Sequence, residues 1–367
     1  MNTHTMPISL TIFLICGFAV SLLLTFVGMP VLLRLCQQRG IYDIPNERKL
    51  HHNKIPRMGG VFFAPAMIVG VVVSFLLMLA VGEQLPQFGL PTFFISAGLF
   101  LIYIIGLFDD MLGLSAKVKF LVQIVTSLFF PLCGVCINNL YGLFGVYELP
   151  LWLGYLLTVL ISVVVINAIN LIDGIDGLAG SIVLIALGGF AWLFFRIGVF
   201  SYALMAASLM GTVLAFLYYN LFGRVECNTK TFMGDTGSLI LGYALAFLGI
   251  KYAMNMHDVV PYRPNALLIS YSLLLLPTFD AARVAVSRLC RGVSMFHADK
   301  THIHHKFLAA GLSMRWALVA VVGMQVMFIV LNFFISEMCL SGEWMILTDL
   351  LIYAAVIWLL NYFKVEA

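Results

Sequence analysis

The sequence predicts an all-α, polytopic integral membrane protein, and three observations support this fold class. First, 62% of the 367 residues are hydrophobic and only 10% are charged, whereas soluble domains carry about 25% charged residues. Second, the mean hydropathy is +1.04. Third, apolar runs long enough to cross a bilayer recur along the whole chain. These features exclude an ordinary soluble domain.

Eleven apolar runs predict membrane-spanning helices. They cover residues 8–33, 60–81, 92–108, 119–138, 151–169, 177–196, 200–219, 236–254, 265–285, 315–335 and 345–363. The first run is too long for a cleaved signal peptide and follows no basic segment, so we interpret it as a retained span. We see no internal repeat, low-complexity tract or long linker, and therefore expect one transmembrane domain over residues 1–367.

The positive charges predict the orientation. With the N-terminus outside, 17 of the 20 lysines and arginines fall on the inner side, and only Arg196, Lys251 and Arg263 fall on the outer side. Cytoplasmic loops of membrane proteins carry such an excess of positive charge. We therefore predict an external N-terminus and a multi-pass protein of the cytoplasmic membrane.

Polar side chains collect at the predicted inner surface. The acids and amides follow span three, separate spans five and six, and precede span eight: Asp109, Asp110, Asn167, Asn170, Asp173, Asp176 and Asp235. Histidines concentrate in the two largest inner loops, including His302, His304 and His305. Because carboxylates at membrane depth are costly, we expect these loops to build one site on the cytoplasmic face.

Each acidic motif also has a structural interpretation. Asp109 and Asp110 could simply end a helix at the interface. Asp173 and Asp176, three residues apart, would share one face of a helix and would repel each other unless a cation lay between them. In FMGDTGS, the polar side chains around Asp235 could merely cap span eight. Taken together, the three loops favour a site.

The histidine cluster and the only close cysteine pair have weaker interpretations. Zinc binding by His302, His304 and His305 is conceivable, but no cysteine is near in sequence, and the neighbouring lysines better suit a phosphate-rich ligand. The Cys133–Cys136 pair lies inside an apolar run, where two small packing residues are the simpler explanation.

Clustered carboxylates and cations at a membrane surface indicate metal-assisted phosphate chemistry. Oxygen ligands suit Mg²⁺ or Mn²⁺, and Mg²⁺ is commonly held by one or two carboxylates together with substrate phosphates. The chain contains no G-x-x-x-x-G-K-[ST] motif, so a phosphate donor would not be bound in the manner of P-loop ATPases.

Five ordered motifs resemble those of the polyprenyl-phosphate N-acetylhexosamine-1-phosphate transferases, the superfamily of WecA and MraY. They are YDIPNERKLHHNKIPRMGG (42–60), GLFDDMLGLSAKVK (106–119), NAINLIDGIDGLAG (167–180), FMGDTGS (232–238) and THIHHK (301–306). The HIHH form of the last motif is more similar to the WecA branch than to the MraY branch, which has three consecutive histidines. An MraY-like phospho-N-acetylmuramoyl-pentapeptide transferase is the alternative within the superfamily.

The resemblance implies a reaction and its partners. N-acetylglucosamine 1-phosphate would pass from UDP-N-acetylglucosamine to undecaprenyl phosphate, with Mg²⁺ or Mn²⁺ as cofactor, at the start of cell-surface glycan assembly. The enzyme would be located in the bacterial inner membrane. The lipid bilayer would be one of its partners, and nucleic acid would not. Relatives often pair as homodimers, so a second copy of the chain is a candidate partner.

The resemblance also implies roles for single residues. The metal ligands would be Asp235 and Asn170. Lys119 would contact the pyrophosphate, and Asn167, Asn170, His302, His304 and His305 would bind substrate. Catalytic roles fall to Asp109, Asp110, Asp173 and Asp176, the first two near the lipid phosphate and the last two organising donor and charge.

Two mechanisms are open at this stage, and three other protein classes are compared with the sequence. The lipid phosphate could attack the β-phosphorus directly, or a covalent intermediate could form on Asp109 or Asp110. An intramembrane aspartyl protease usually carries GxGD, whereas this chain reads Phe-Met-Gly-Asp. A metal-ion transporter would place acids on both sides of a pathway, whereas these collect on one surface. A CDP-alcohol phosphotransferase would need an Ala-Arg pair soon after its first DG, and none follows here.

Overall fold

The computed structural model describes residues 8–43, 54–86, 89–256, 260, 262–294, 301–338 and 341–363. Within them the chain is helical, with only two isolated β-bridges. The twelve α-helices are α1 (Ile8–Arg39), α2 (Phe63–Ala80), α3 (Leu90–Leu112), α4 (Ala116–Leu132), α5 (Leu151–Ile172), α6 (Leu178–Arg196), α7 (Phe200–Phe222), α8 (Gly234–Ala253), α9 (Ala266–Cys290), α10 (Ile303–Ala309), α11 (Met314–Glu337) and α12 (Gly342–Tyr362). Short 3₁₀ turns cover Gly59–Phe62 and Leu143–Gly145.

Each of the eleven predicted spans overlaps one long helix, and the short α10 is an addition. Ten helices of the described chain are long and apolar enough to cross a membrane, which confirms a polytopic membrane protein. The predicted span at 119–138 is the exception. Its helix, α4, has 17 residues, and the chain turns at Cys133 and Gly134, where the predicted span continues.

The most buried helix is α8. Every residue from Thr236 to Ala253 is buried except the half-buried Lys251. It packs against α3, α5, α6 and α9, while α1 and α12 expose most of their surface. A helix that is apolar all round belongs in the interior of a bundle. The residue at its start, Asp235, therefore lies near the centre of one end of the molecule.

Close packing of glycines fixes the start of α8 against its neighbours. A Cβ atom at Gly60 would lie 2.1 Å from the Cα of Gly237, and one at Gly106 would lie 2.5 Å from the Cα of Thr236. Small residues let backbones approach in this way between membrane helices. The 3₁₀ turn and α3 are thereby brought directly onto the first turn of α8.

Backbone hydrogen bonds complete this junction. The amides of Gly59 and Gly60 donate to the carbonyls of Phe232 and Met233 at 2.9 and 2.8 Å. The Thr231 hydroxyl also donates to the carbonyl of Pro56, which lies 175 residues earlier in the chain. These hydrogen bonds join two loops that are far apart in sequence. This junction forms one wall of the cavity described next.

Candidate active site

A cavity of about 470 Å³ opens at the end of the bundle where α8 begins. The ends of α3 and α5, the turn before α6, the start of α8 and part of α10 contribute to its wall. The polar lining residues are Asp43, Arg57, Asp110, Asn170, Asp173, Asp176, Asn220, Asp235, Ser238 and His305. The predicted acidic loops therefore do meet at one place.

Asp235 is at the centre of a charged network. Its Oδ2 lies 3.1 Å from Lys119 Nζ, which also lies 3.0 Å from Asp109 Oδ2. Its Oδ1 accepts a hydrogen bond from Asn170 Nδ2, and that amide also donates to Ser238 Oγ at 2.8 Å. Lys119 thus neutralises one of two neighbouring carboxylates, and the pair keeps one net negative charge.

Asp110 has a different environment. It is 2% exposed, and its carboxylate accepts the backbone amides of Asp235 and Thr236 at 2.8 and 3.0 Å and the Thr236 hydroxyl. A carboxylate in this position satisfies the free amides of a helix start and matches the positive end of its dipole. Asp110, in the last turn of α3, therefore caps the start of α8. The N-cap residue of α8 itself, Met233 in FMGDTGS, makes no side-chain capping hydrogen bond.

Arg57 fixes the other side of Asp110, and it was not among the predicted site residues. Its Nε and Nη2 donate to the Asp110 carbonyl at 2.9 and 2.6 Å, which satisfies a free carbonyl in the last turn of α3. The Arg57 carbonyl in turn crowds Gly234, where a Cβ atom would lie 2.0 Å away. Gly234 also has φ +75°, so only glycine fits between Arg57 and Asp110.

The DGIDG segment corrects one expectation. Asp173 and Asp176 do not share a helical face, because α5 ends at Ile172 and residues 173–177 form a turn. The glycines that follow each aspartate end the helix there. A cation does accompany Asp176, but it comes from far along the chain: Lys230 Nζ lies 2.7 Å from its Oδ2.

Asn220 holds this turn in place. Its Oδ1 accepts the Gly177 amide at 2.6 Å, and its Nδ2 donates to the Thr231 carbonyl at 2.9 Å. The Asn220 carbonyl also accepts a hydrogen bond from Lys230. Neither Asn220 nor Lys230 was predicted, since both act through partners tens of residues away and carry no local motif.

Asp173 is exposed to the cavity and forms no ion pair or hydrogen bond with the described part of the chain. The surrounding protein raises the pKa of its carboxyl to about 7, and repulsion by Asp235, Asp176 and Asp110 adds to the rise. Repulsion between these carboxylates acts even though the Asp173 side chain is open to water. A cation in the cavity would reverse it.

The three histidines occupy different positions. His305 lines the cavity. His304 is 1% exposed and packs on Gly174, where a Cβ atom would meet its Nε2. Burial lowers the pKa of His304 to about 3, and His305 and His302 add to the shift. Its ring is therefore neutral, and neither nitrogen has a hydrogen-bond partner among the described residues.

His302 is positioned by Asp280, a residue that sequence reasoning missed. His302 Nδ1 lies 2.7 Å from Asp280 Oδ2, and the Ile303 amide donates to Asp280 Oδ1 at 3.0 Å. Arg283 and Tyr353 also contact this carboxylate at 2.7 and 3.0 Å. Asp280 thereby caps α10 and ties it to α9 and α12. The histidines at 51, 52 and 297 lie outside the described residues.

Asn167 lies one helical turn from Asn170 but does not line the cavity. Its Nδ2 donates to Gln123 Oε1 at 2.5 Å and to the Val163 carbonyl at 2.8 Å. It links α5 to α4, the helix that carries Lys119. In the structure, its contact with the cavity is therefore indirect.

The oxygen donors fit a hard divalent cation only in part. Among the described residues no three His, Cys, Asp or Glu side chains are placed to hold a metal by themselves. Asp235 and Asp173 present carboxylates to the cavity, and Asn170 uses its amide nitrogen on Asp235, which leaves its oxygen available. This set suits an ion that takes its remaining ligands from water and substrate phosphates, as Mg²⁺ does.

Comparisons with known proteins identify a family and several relatives. The model of the family described as "Glycosyl transferase family 4" matches residues 92–253. A "probable undecaprenyl-phosphate N-acetylglucosaminyl 1-phosphate transferase" of Bacillus subtilis (strain 168) is 32% identical over 312 residues, covering 84% of this chain and 81% of the relative. The "undecaprenyl-phosphate alpha-N-acetylglucosaminyl 1-phosphate transferase" of Yersinia pestis is 28% identical over 350 residues, covering 95% and 89%. The Escherichia coli (strain K12) protein of the same description is 26% identical over 291 residues, covering 78% and 74%.

Proposed function

This chain belongs to glycosyl transferase family 4, and we propose that it transfers N-acetylglucosamine 1-phosphate from UDP-N-acetylglucosamine to undecaprenyl phosphate. The products are undecaprenyl-pyrophosphoryl-N-acetylglucosamine and UMP. The observation that carries the proposal is the Asp109–Lys119–Asp235–Asn170 network at a cavity on one end of a membrane bundle. Membership of a phosphotransferase family sets aside the protease, transporter and CDP-alcohol interpretations.

In the proposed step, an oxygen of the lipid phosphate attacks the β-phosphorus of the donor. A new phosphorus–oxygen bond forms, and the bond from the β-phosphorus to the bridging oxygen breaks, so that UMP leaves with that oxygen. A phosphate monoester has its second pKa near ~6, so the acceptor is mostly deprotonated at neutral pH. Positioning and charge neutralisation then dominate over proton removal.

Direct attack is favoured over a covalent aspartyl intermediate by the environments of the two candidate nucleophiles. Asp110 is enclosed and accepts three hydrogen bonds from the start of α8. Asp109 is 4% exposed, and its oxygens are engaged by the Leu114 amide at 2.7 Å and by Lys119. Neither carboxylate presents a free oxygen to a β-phosphorus in the cavity.

We assign the roles from the contacts. Asp235, Asn170 and Asp173 would hold Mg²⁺ or Mn²⁺, which supplies positive charge to the donor phosphates when bound. Lys119 would exchange part of its contact with the two carboxylates for a phosphate oxygen. His305 would contact the donor directly, whereas Asp110, Arg57 and Asp280 are positioning residues. Asp176, paired with Lys230, keeps the DGIDG turn in place.

The cavity is proposed to face the cytoplasm, with the N-terminus outside. The excess of positive charge at this end of the bundle supports that orientation. UDP-sugars are made in the cytoplasm, so the donor would reach the cavity from there, and the lipid would bring its phosphate to the same surface.

The test is an assay of purified protein with undecaprenyl phosphate and Mg²⁺ against a panel of UDP-sugars. We expect UMP release with UDP-N-acetylglucosamine, and much less with UDP-glucose and UDP-N-acetylgalactosamine. UMP release only with UDP-N-acetylmuramoyl-pentapeptide would favour the MraY-like alternative. No UMP release with any donor would contradict the proposal.

A further inference from the structure

A second cavity, of about 500 Å³, lies at the opposite end of the bundle. The last turns of α6, α8 and α11, the first turns of α9 and the segment before it form its wall. Its polar and aromatic lining residues are Trp192, Arg196, Tyr252, Tyr262, Arg263, Asn265, Ser272, Ser336 and Glu337. None of these residues takes part in the acidic cavity.

The length of α8 places the two cavities on opposite membrane surfaces. Asp235 stands at the start of this helix and Tyr252 near its end, and its 20 residues span about 30 Å at 1.5 Å per residue. This distance equals the thickness of the hydrocarbon core of a bilayer. A ligand in the second cavity is therefore not a donor or acceptor bound at the acidic cavity.

Two cations line the second cavity, and the sequence analysis had already set them apart. Arg196 and Arg263 are two of the three lysines and arginines predicted on the outer side. The Arg196 guanidinium lies 5.5 Å from the centre of the Trp192 ring, and that of Arg263 lies 4.5 Å from the centre of the Tyr252 ring. Stacking on a ring fixes the plane of a guanidinium but leaves hydrogen-bond donors free.

Neither guanidinium pairs with a carboxylate of the described part of the chain. Arg263 Nη2 donates to the Met254 carbonyl at 3.2 Å, but its Nη1 is buried without any such partner. Glu337 also lines the cavity and makes a contact of its own. The two lining arginines therefore outnumber the single lining carboxylate, Glu337, and leave a net positive charge on the wall of the cavity. A buried, unsatisfied donor of this kind is costly and indicates a missing acceptor.

The remaining wall is apolar and reaches the surface of the bundle. Leu273 is buried, Ile269 and Ile329 are half-buried, and Phe333 is 47% exposed. Trp192 and Tyr262 are exposed beside the arginines, and such residues are typical of the membrane interface. Guanidinium groups next to an apolar wall at this depth suit an amphiphile with an anionic head.

We propose that this second cavity binds an anionic phospholipid, with its phosphate on Arg196 and Arg263 and its chains along Leu273, Ile329 and Phe333. The planar guanidinium groups match a phosphate better than an ammonium group would. Charge complementarity selects the head group, and the apolar wall selects a lipid over a free phosphate ion. The inference goes beyond the proposed transfer reaction and does not depend on it.

Native mass spectrometry of the full-length protein in a mild detergent tests this site. Phosphatidylglycerol and phosphatidylcholine are titrated separately, and retained lipid is counted for the wild type and for Arg196→Gln/Arg263→Gln. We expect the double variant to bind its first phosphatidylglycerol roughly thirtyfold more weakly, since each of the two cations removed contributes about 1 kcal/mol toward anionic lipid. Phosphatidylcholine should bind equally to both.

Two further variants keep the result interpretable. Lys251→Gln removes a cation at the same end of the bundle that does not line the cavity, and it should bind phosphatidylglycerol like the wild type. Arg263→Lys keeps the charge but loses the planar fork, and it should be intermediate. An unchanged melting temperature of the double variant would show an intact fold.

Three outcomes would overturn the proposal. The double variant could retain phosphatidylglycerol as well as the wild type, or Lys251→Gln could lose as much binding as the double variant. Inorganic phosphate could also displace the lipid at a concentration equal to that of the lipid itself, which would assign the site to the free ion. The lipid titration contains neither a UDP-sugar donor nor undecaprenyl phosphate. Its result is therefore independent of the outcome of the transferase assay.

Discussion

At the scale of single residues, Asp173 is the one carboxylate lining the acidic cavity that has no partner among the described residues. Asp109, Asp110, Asp176 and Asp235 each have a cation or backbone amides close by. Asp173 has neither, and the surrounding protein together with repulsion from neighbouring acids raises the pKa of its carboxyl. An unpaired acid in a cavity lowers the stability of the folded protein, and such a residue is kept where activity requires it.

We therefore predict that Asp173→Asn stabilises the protein when no divalent cation is present. A carboxyl whose folded pKa is raised from 3.8 to about 7 loses stability as the pH rises between those values, and the full loss is present above pH 7. The melting temperature of the variant should exceed that of the wild type by about 1–3 °C at pH 8. The gain should be smaller at pH 5.5, while UMP release falls.

Differential scanning fluorimetry in detergent, with a chelator present, gives both melting temperatures. The matched control is Glu226→Gln, because Glu226 is exposed in the turn after α7 and has no ion pair among the described residues. It should leave the melting temperature unchanged at both pH values. A lower melting temperature for Asp173→Asn at pH 8 would contradict the assigned repulsion.

Sequence reasoning found the acids of the site but not the residues that hold them. Asp109, Asp110, Asp173 and Asp235 stand out because carboxylates are rare in so apolar a chain. Lys230, Asn220 and Asp280 are ordinary in their local sequence, and their roles come from partners 54, 43 and 22 residues away. Such pairings depend on the tertiary fold, which periodicity and spacing do not report.

At the scale of elements, the junction between the 3₁₀ turn Gly59–Phe62 and the start of α8 holds the site together. Apolar periodicity predicted the long helices because their lengths follow from the bilayer. It could not predict the early end of α4 at Leu132. It did predict a break between the spans 151–169 and 177–196, and the turn at 173–177 lies within that break. It also could not predict that α3, through Asp110, caps α8.

We predict that Gly60→Ala disrupts this junction. The added Cβ would lie 2.1 Å from the Gly237 Cα and 2.4 Å from its nitrogen, so backbone must move, at a cost of roughly 1–3 kcal/mol. Thermal unfolding and UMP release measured on the same preparation should both fall. Gly323→Ala in α11 is the control, because nothing lies within 4 Å of its Cβ position; equal stability of the two variants would contradict the close packing.

At the scale of the whole molecule, the two ends of the bundle differ in charge and chemistry. One end gathers carboxylates, lysines and histidines around a cavity of about 470 Å³. The other gathers two arginines and aromatic residues around a cavity of about 500 Å³. The sequence predicted the first through its motifs and left the second unassigned, because arginine and tryptophan at a helix end carry no motif.

The proposed orientation predicts which end a membrane-impermeant maleimide can reach. Cys227 is exposed in the turn after α7, at the end with the acidic cavity, so wild-type spheroplasts should be labelled there only after permeabilisation. Glu148→Cys, in the exposed connection between α4 and α5, should add labelling in intact spheroplasts. Labelling of Cys227 in intact spheroplasts, absent in Cys227→Ser, would reverse the orientation.

The most direct test of the central claim is UMP release from UDP-N-acetylglucosamine with undecaprenyl phosphate, compared between the wild type, Asp235→Asn and the exposed control Glu226→Gln. If transfer takes place at the cavity where α8 begins, Asp235→Asn should lose about 10²- to 10³-fold in rate, the usual effect of removing one electrostatic group from a site. Glu226→Gln should release UMP at the wild-type rate. Both variants should show a cooperative thermal unfolding transition, which indicates that they are folded. Full Mg²⁺-dependent activity of Asp235→Asn would contradict the account.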